Sequence, residues 1–473
     1  MTKTTRNGYM TKPLERISYW SYFAGQNIFY TLVVNFLAAY LALVGISLIK
    51  IAAVMLIVKV WDAVNDTLFG VIFDKTKFKS RQKALPWLRV SLGIIPIATV
   101  VLYAIPGGLP DNVKLLWFAL AYLLWDSAYT LSDVPIFSMV TTMTSNLNER
   151  NTLISTGRLF SLVAAALTGV AGTFLLGDNV GMPFRAIAVI LSLIAVLLMT
   201  PICIFGKERN YNPEAAEETF TLRVMLRYLA GNRYLLIYYA AYCCTAGLLT
   251  TNVVQLFVGY YLFGSVDFNN ILFFITAVPS LAAALLVPAI IRRVDKFKLL
   301  VWMNLAGMAL GFLVYLAGWS SKPVFLALMV VRVVPISLLG ILGFMFTADC
   351  AEYGRFKTGV DARGIAFSIQ TFSAKLTAAI SSAAGLFALS LFDWQTIQAE
   401  SFADLERLGV AQSQTALNGL WVTYILIPSI GMALSAVIYL FYKLNDRDVQ
   451  IMAKCNAGEI SRKEAEAALS RRY

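Results

Sequence analysis

Histidine is absent from this sequence. That removes the side chain whose ordinary pKa suits proton shuttling near neutrality, and with it the commonest transition-metal ligand. Cysteine is sparse: only Cys203, Cys243, Cys244, Cys350 and Cys455. Their spacings match no metal-ligand set. All five fall in predicted spans or on the predicted cytoplasmic side, so no disulfides are expected. Charge is also short. Charged residues make up 14% of the 473, against about a quarter in soluble domains. A soluble enzyme of this length would show charge-rich loops and helices with one polar face, and neither dominates here. No cleavable leader is expected. MTKTTRNGYMTKPLERI is basic, but the apolar stretch behind it is too long and too studded with polar residues for a short signal core.

What is present is apolar. The chain is 59% hydrophobic, with 30 Phe, 22 Tyr and 9 Trp, a composition that suits a lipid-facing surface with aromatic belts at the interfaces. At about 20 residues per span, twelve predicted cores fall at 18–46, 51–73, 86–106, 114–143, 153–176, 184–205, 234–263, 270–291, 299–318, 323–347, 365–391 and 418–442. With both termini placed in the cytoplasm, the inner segments hold 29 basic residues and the outer ones 5. The positive-inside rule therefore fixes the expected orientation. The same bias accounts for the net charge of +12, so no nucleic-acid partner is needed.

The longest inner loop, 206–233, follows the sixth span. It divides the chain into a six-helix half at 1–205, a second half at 234–442 and a cytoplasmic tail at 443–473. Two six-helix halves around a midplane site are a recurring plan of secondary transporters. Similarity between the halves is too weak to establish an internal repeat. The tail segment ISRKEAEAALSRRY reads as a short helix with Ser461 and Glu464 as a capping box, and is expected to be a solvated end.

Charged and amide side chains inside the spans carry the functional reading, since such groups are costly in lipid. WDAVNDTLFG in the second span puts Asp62, Asn65 and Asp66 on one broad helical face, with Lys59 a turn further out. A Lys–Asp pair within the helix explains one aspartate but not two converging with an amide. Two carboxylates and a carboxamide oxygen suit a hard monovalent cation. Without one, the two like charges call for a proton. In the fourth span, WDSAYTLSDVPIF places Asp126, Tyr129, Thr130 and Asp133 at i, i+3, i+4 and i+7, flanked by Trp125 and Phe137. Acids interleaved with rings suit a sugar, whose hydroxyls bind carboxylates and whose apolar face stacks on aromatics. Asp126 can also be read as a wet residue near the outer boundary. Thr130 is placed to turn its hydroxyl toward the aspartates of the second span. Arg158 and Lys375 are the expected counter-charges, and Gln26, Asn27, Tyr30, Gln370 and Thr371 add uncharged donors and acceptors.

WDAVNDTLFG with DKTKFKSRQK, SDVPIFSMVTTMT, ERNTLISTGR and ADCAEYGRFKTGVDARGIAFSIQTFSAK together resemble the glycoside–pentoside–hexuronide:cation symporters, of which the melibiose-type members are best known. The likeness runs through nearly the whole chain in order. It implies an all-α membrane protein with a major-facilitator fold and alternating access in the inner membrane of a bacterial-type cell. It implies a cation site at Asp62, Asn65, Asp66 and Thr130, taking Na⁺ or alternatively H⁺ or Li⁺, and no other cofactor. It implies a sugar site at Gln26, Asn27, Tyr30, Tyr129, Asp133, Phe137, Arg158, Gln370, Thr371 and Lys375, to which the spacing adds Trp125 and Asp126. Gly70, Asp74 and Lys75 resemble the superfamily's loop signature. With Asp349, Glu352 and Arg363 they are expected to form a cytoplasmic gate. A monomer is expected, with sugar and membrane lipid as its partners.

Three departures bear on the substrate. Melibiose-type members have a Lys-Asp pair at Gln26-Asn27, tryptophan at Phe137 and glycine at Asp126. The amide at 27 favours an anionic sugar, and the extra acid at 126 argues the other way. The alternative function is symport of a lysolipid or other amphiphile, which would need a more apolar cavity. A membrane-embedded enzyme finds no nucleophile–base spacing here. A continuous pore does not explain midspan charges of both signs.

Overall fold

The computed structural model describes residues 10–76, 78, 82–209, 222–359, 362–409 and 411–471. Among these residues the regular structure is helical throughout. Backbone groups in hydrocarbon must find partners within their own segment, and a helix provides them. The first six long helices are α1 (Pro13–Leu43), α2 (Leu48–Lys75), α3 (Leu85–Leu102), α4 (Asp111–Met143), α5 (Leu147–Leu176) and α6 (Phe184–Phe205). The next are α7 (Arg233–Leu262), α8 (Phe268–Ile290), α9 (Lys296–Ala317), α10 (Lys322–Thr358), α11 (Arg363–Ser390) and α12 (Gln414–Tyr439). Two short helices, α13 (Asp446–Asn456) and α14 (Arg462–Ala468), complete the tail.

Ten of the long helices are apolar enough to cross a membrane. The other two, α2 and α4, match them in length, at 28 and 33 residues. They differ in carrying the acids and lysines singled out above. Large apolar side chains such as Leu197 and Leu316 point outward from α6 and α9, Leu316 being 80% exposed. This outward face is what lipid requires.

The described residues form two compact units. The first holds α1–α6 together with the segment Gln395–Gln412, which follows α11 in the chain. That segment is fastened by Ala399 N donating to Leu43 O (2.8 Å), Gln398 Nε2 donating to Gly107 O (2.6 Å) and Phe402 packing on Phe184. Within this unit α1 packs on α5 and α6, and α4 on α2 and α3. Gly25 permits the α1–α6 approach, because a Cβ there would lie 2.5 Å from Ala195 O.

The end of this unit near residues 10, 82 and 209 is tied by charge. Glu208 accepts from the N–H groups of Lys83, Ala84 and Leu85 at 2.7–2.9 Å, placing a carboxylate at the start of α3. Arg209 pairs with Glu15 at 2.7 Å. Glu149, fully buried, accepts from Met10 N and Thr11 N at 3.0 Å, from Thr144 Oγ1 at 2.6 Å and from the Thr11 hydroxyl. Burial pushes this carboxyl up, but the Thr11, Thr144 and amide hydrogen bonds outweigh burial and hold it below the ordinary value.

The second unit holds α7–α14. Tyr234, Tyr238, Phe346, Tyr439 and Tyr442 pack ring against ring in its core. The tail helix α14 and its Ser461–Glu464 capping box are present, and its side chains are mostly exposed, as expected of a solvated end, but the tail is also fastened to α10. Arg462 Nη1 donates to Phe356 O at 2.6 Å, and its guanidinium lies over the Phe356 ring. Asn456 Nδ2 donates to Glu352 O and Oε2. The last carbonyls of α10 lack helical partners, and the tail supplies donors for one of them.

Candidate functional site

The site of the first unit is built on α4. Side chains on this helix fall into two neighbouring stripes, rather than the single face expected from spacing. One stripe meets α2. Thr130 Oγ1 donates to Asp66 Oδ1 (3.0 Å) and accepts from Asn65 Nδ2 (2.9 Å). One helical turn earlier, Asp126 lies 3.5 Å from Lys59 Nζ, which is also 3.5 Å from Asp62. Ser127 Oγ accepts from Trp61 Nε1 at 3.1 Å. Residue numbers rise together along this contact, so α2 and α4 run parallel.

The other stripe meets α1 in the opposite sense. Tyr129 packs against Tyr30 at 5.9 Å, Asp133 accepts from Gln26 Nε2 at 3.1 Å, and Phe137 meets Phe23 edge-on at 5.3 Å. Arg158 of α5 lies over the Phe137 ring, 5.2 Å from its centre. Asn27 is half-buried beside this row. Pro135 sits inside α4 two residues past Asp133, where it withholds one ladder donor.

The structure thus brings Asn65, Asp66 and Thr130 together, and separately gathers Gln26, Tyr30, Tyr129, Asp133, Phe137 and Arg158. Two expectations need correction. Asp126 is not a wet boundary residue: it is 4% exposed and paired with Lys59 on the α2 side. Trp125 is 3% exposed, and its indole N–H donates to Thr99 of α3 at 3.1 Å. Its ring stacks on Tyr129, at 5.2 Å, as backing for that side chain. Sequence reasoning also missed Tyr22. Its hydroxyl bonds Ser91 (2.9 Å) and Ser132 (2.7 Å), joining α1, α3 and α4 behind the site. Hydroxyls are common in apolar helices, and nothing in the spacing marks these three.

In the second unit, α11 carries Gln370, Thr371 and Lys375. Gln370 Oε1 is buried and accepts no hydrogen bond among the described residues. The Thr371 hydroxyl donates to Phe367 O in its own helix, and Lys375 is half-buried. Of the expected gate, Asp349 is paired with Lys296 at 2.6 Å, and Lys296 also reaches Asp446 at 3.3 Å. Glu352 is engaged by the tail. The side chains of Asp74, Lys75 and Arg363 lie outside the described residues.

A membrane-spanning helical chain with buried acids, a lysine and amides converging on three helices has the architecture of a carrier. The sequence model of the family described as "MFS/sugar transport protein" matches residues 18–446. The chain belongs to this family, among the glycoside–pentoside–hexuronide:cation symporters of the major facilitator superfamily. It is similar to an isoprimeverose transporter of Lactiplantibacillus pentosus, 26% identical over 93% of this chain and 90% of the relative. It is also similar to a glucuronide carrier protein homolog of Escherichia coli strain K12, 24% identical over 87% and 88%. Its fold matches that of the nucleoside transporter NupG with a TM-score of 0.64, at 12% identity, over 91% of this chain and all of the other. The chain is a multi-pass transporter of the cell membrane and not an enzyme.

Proposed function

We propose that the chain is a symporter that moves a sugar together with one monovalent cation by alternating access. In this reading all twelve long helices span the membrane, both termini are cytoplasmic, and six-helix halves at 1–205 and 234–442 are joined by the central loop 206–233. The observation that carries the reading is the double role of α4. One stripe of this helix binds the acid–amide–hydroxyl group of Asp66, Asn65 and Thr130. The next stripe, three residues on, holds Asp133 against Gln26. The first set offers hard oxygen ligands for Na⁺, or alternatively Li⁺, with H⁺ as the other candidate. The second offers hydrogen-bonding groups and rings for a sugar, with Asn27 and Arg158 beside it. Gln370, Thr371 and Lys375 of α11 share in the substrate in the same reading.

The sugar is a glycoside, pentoside or hexuronide, and the geometry tilts the choice toward acidic glycosides. Asp126 counted against an anion as long as its charge faced the cavity. With Lys59 beside it, that objection falls, and Asn27 and Arg158 remain to receive a carboxylate. The relatives named for isoprimeverose and for a glucuronide fit this range. An amphiphile gains no support from a row built of Gln26, Asp133 and two tyrosines. The test is uptake by membrane vesicles of radiolabelled glucuronides, pentosides and neutral disaccharides, with and without a Na⁺ gradient. Cation-driven accumulation of at least one sugar is expected. Failure of every sugar, with an amphiphile taken up instead, would overturn the reading.

A further inference from the structure

At the end of the second unit where α9 begins and α12 finishes, a cavity of about 710 Å³ opens beside the tail. Four basic side chains line it, Lys298, Lys443, Arg447 and Arg471, against one acid, Asp295. Asp295 is already engaged with backbone. It accepts from Phe297 N (3.0 Å) and Lys298 N (3.1 Å) as the cap of α9, and from Asp446 N (3.1 Å). The pocket therefore carries a surplus of three positive charges.

Its shape is maintained by the tail. Fully buried Asp448 accepts from Ser470 N at 3.0 Å, and Asn445 Nδ2 donates to Ser470 Oγ at 3.1 Å. These bonds hold Arg471 at the rim. On the side toward the membrane, the lining changes to Trp302, Val301, Leu305 and Leu440. Trp302 is 65% exposed and Leu440 61%. Trp is the side chain suited to the boundary between headgroups and acyl chains. Basic pockets at a cytoplasmic helix boundary suit anionic headgroups. A free phosphate would use only the basic rim and leave the apolar floor uncovered.

We infer that this pocket binds the headgroup of an anionic phospholipid, its phosphodiester among Lys298, Arg447 and Arg471 and the start of its acyl chains on Trp302 and Leu440. Lipid held there bridges α9, α12 and the tail, and so stabilises the docked tail. The site is separate from the sugar and cation residues of the first unit.

The test is native mass spectrometry of the detergent-purified full chain. It is titrated with dioleoyl-phosphatidylglycerol, with phosphatidylcholine of the same chains, and with glycerol 3-phosphate as competitor. Phosphatidylglycerol is expected to bind in preference to phosphatidylcholine, and glycerol 3-phosphate to compete poorly. Arg471→Gln, at an exposed position beyond the last helix, is expected to leave the melting temperature unchanged and to weaken phosphatidylglycerol by about fivefold. Adding Lys298→Gln and Arg447→Gln should deepen the loss to roughly a hundredfold. The pair Arg292→Gln and Arg293→Gln removes two exposed charges outside the pocket and should change nothing. Equal binding by the Arg471 variant, or an equal loss in the Arg292/Arg293 control, would overturn the site. Effective competition by glycerol 3-phosphate would overturn the lipid as its occupant.

Discussion

A threonine hydroxyl has one proton to give, and Thr130 has two acceptors within reach: Asp66 at 3.0 Å and the carbonyl of Asp126 at 3.2 Å. In the proposed symport, a cation against Asp66 would let the hydroxyl turn its proton to its own helix and present an oxygen lone pair to the ion. Thr130→Val removes both options while keeping the shape. A hydrogen bond to a charged group contributes about 1.5–3 kcal/mol, so cation affinity should fall roughly tenfold or more. The readout is the Na⁺ concentration that half-maximally enhances sugar binding, and an unchanged value would show that Thr130 is no ligand. Asp126→Asn makes a second test. It leaves Lys59 to Asp62 alone, so one negative charge is lost beside the cation. Cation affinity should drop while the sugar affinity of the Na⁺-saturated carrier stays within about threefold. A larger change in sugar affinity would return Asp126 to the substrate. That Asp62, Asn65 and Asp66 leave one broad side of α2 was legible in the sequence, because an i, i+3, i+4 pattern fixes a face; there Asn65 and Asp66 meet Thr130, and Asp62 meets Lys59. The Lys59–Asp126 pair was not legible. Spacing gives the direction in which a side chain leaves its helix but not which neighbour stands there.

The helices themselves were largely legible, since long apolar runs allow little else. Their ends were less so. The tenth span was expected at 323–347, and α10 continues to Thr358. The added turns are polar and are held by contacts with the tail, which hydropathy does not register. The contacts that fasten the exposed tail escape hydropathy for the same reason: Arg462, Asn456 and Asp448 each spend polar atoms on the rest of the second unit or on the tail itself. Glu149 is the comparable clamp in the first unit. Its folded-state pKa lies below the ordinary carboxylate value, so its contribution to stability is present above that value and is lost as pH falls through the lowered one. The protection of the amides of residues 10–16 against hydrogen exchange, taken relative to their intrinsic rate at each pH, should therefore be high at pH 7 and fall on acidification. In Glu149→Gln the protection should already be low at pH 7. Protection that ignores both pH and the substitution would show that the clamp does not hold this segment. Close approach is a further element-scale requirement. Gly25→Val places side-chain carbon against Ala195 O and should lower thermal stability by about 2 kcal/mol or more. A variant melting with the parent would contradict the α1–α6 contact.

At the scale of the whole molecule, the proposed orientation rests on the charge bias of 29 to 5. In a cysteine-free background, a cysteine at Ser145 or Glu459 should react with an impermeant thiol reagent only from the cytoplasmic face, and one at Arg407 only from outside. The reverse pattern would invert the topology. The central claim is that cation and sugar are linked through α4, because Thr130 and Asp133 stand three residues apart on one rigid turn. Linkage is reciprocal. Calorimetry of the purified carrier, with sugar titrated in the presence and absence of saturating Na⁺ and Na⁺ titrated with and without sugar, measures it directly. The account predicts that each ligand tightens the other by the same factor, roughly 5- to 150-fold. Sugar binding of equal affinity in both arms, with Na⁺ binding also unmoved, would contradict it.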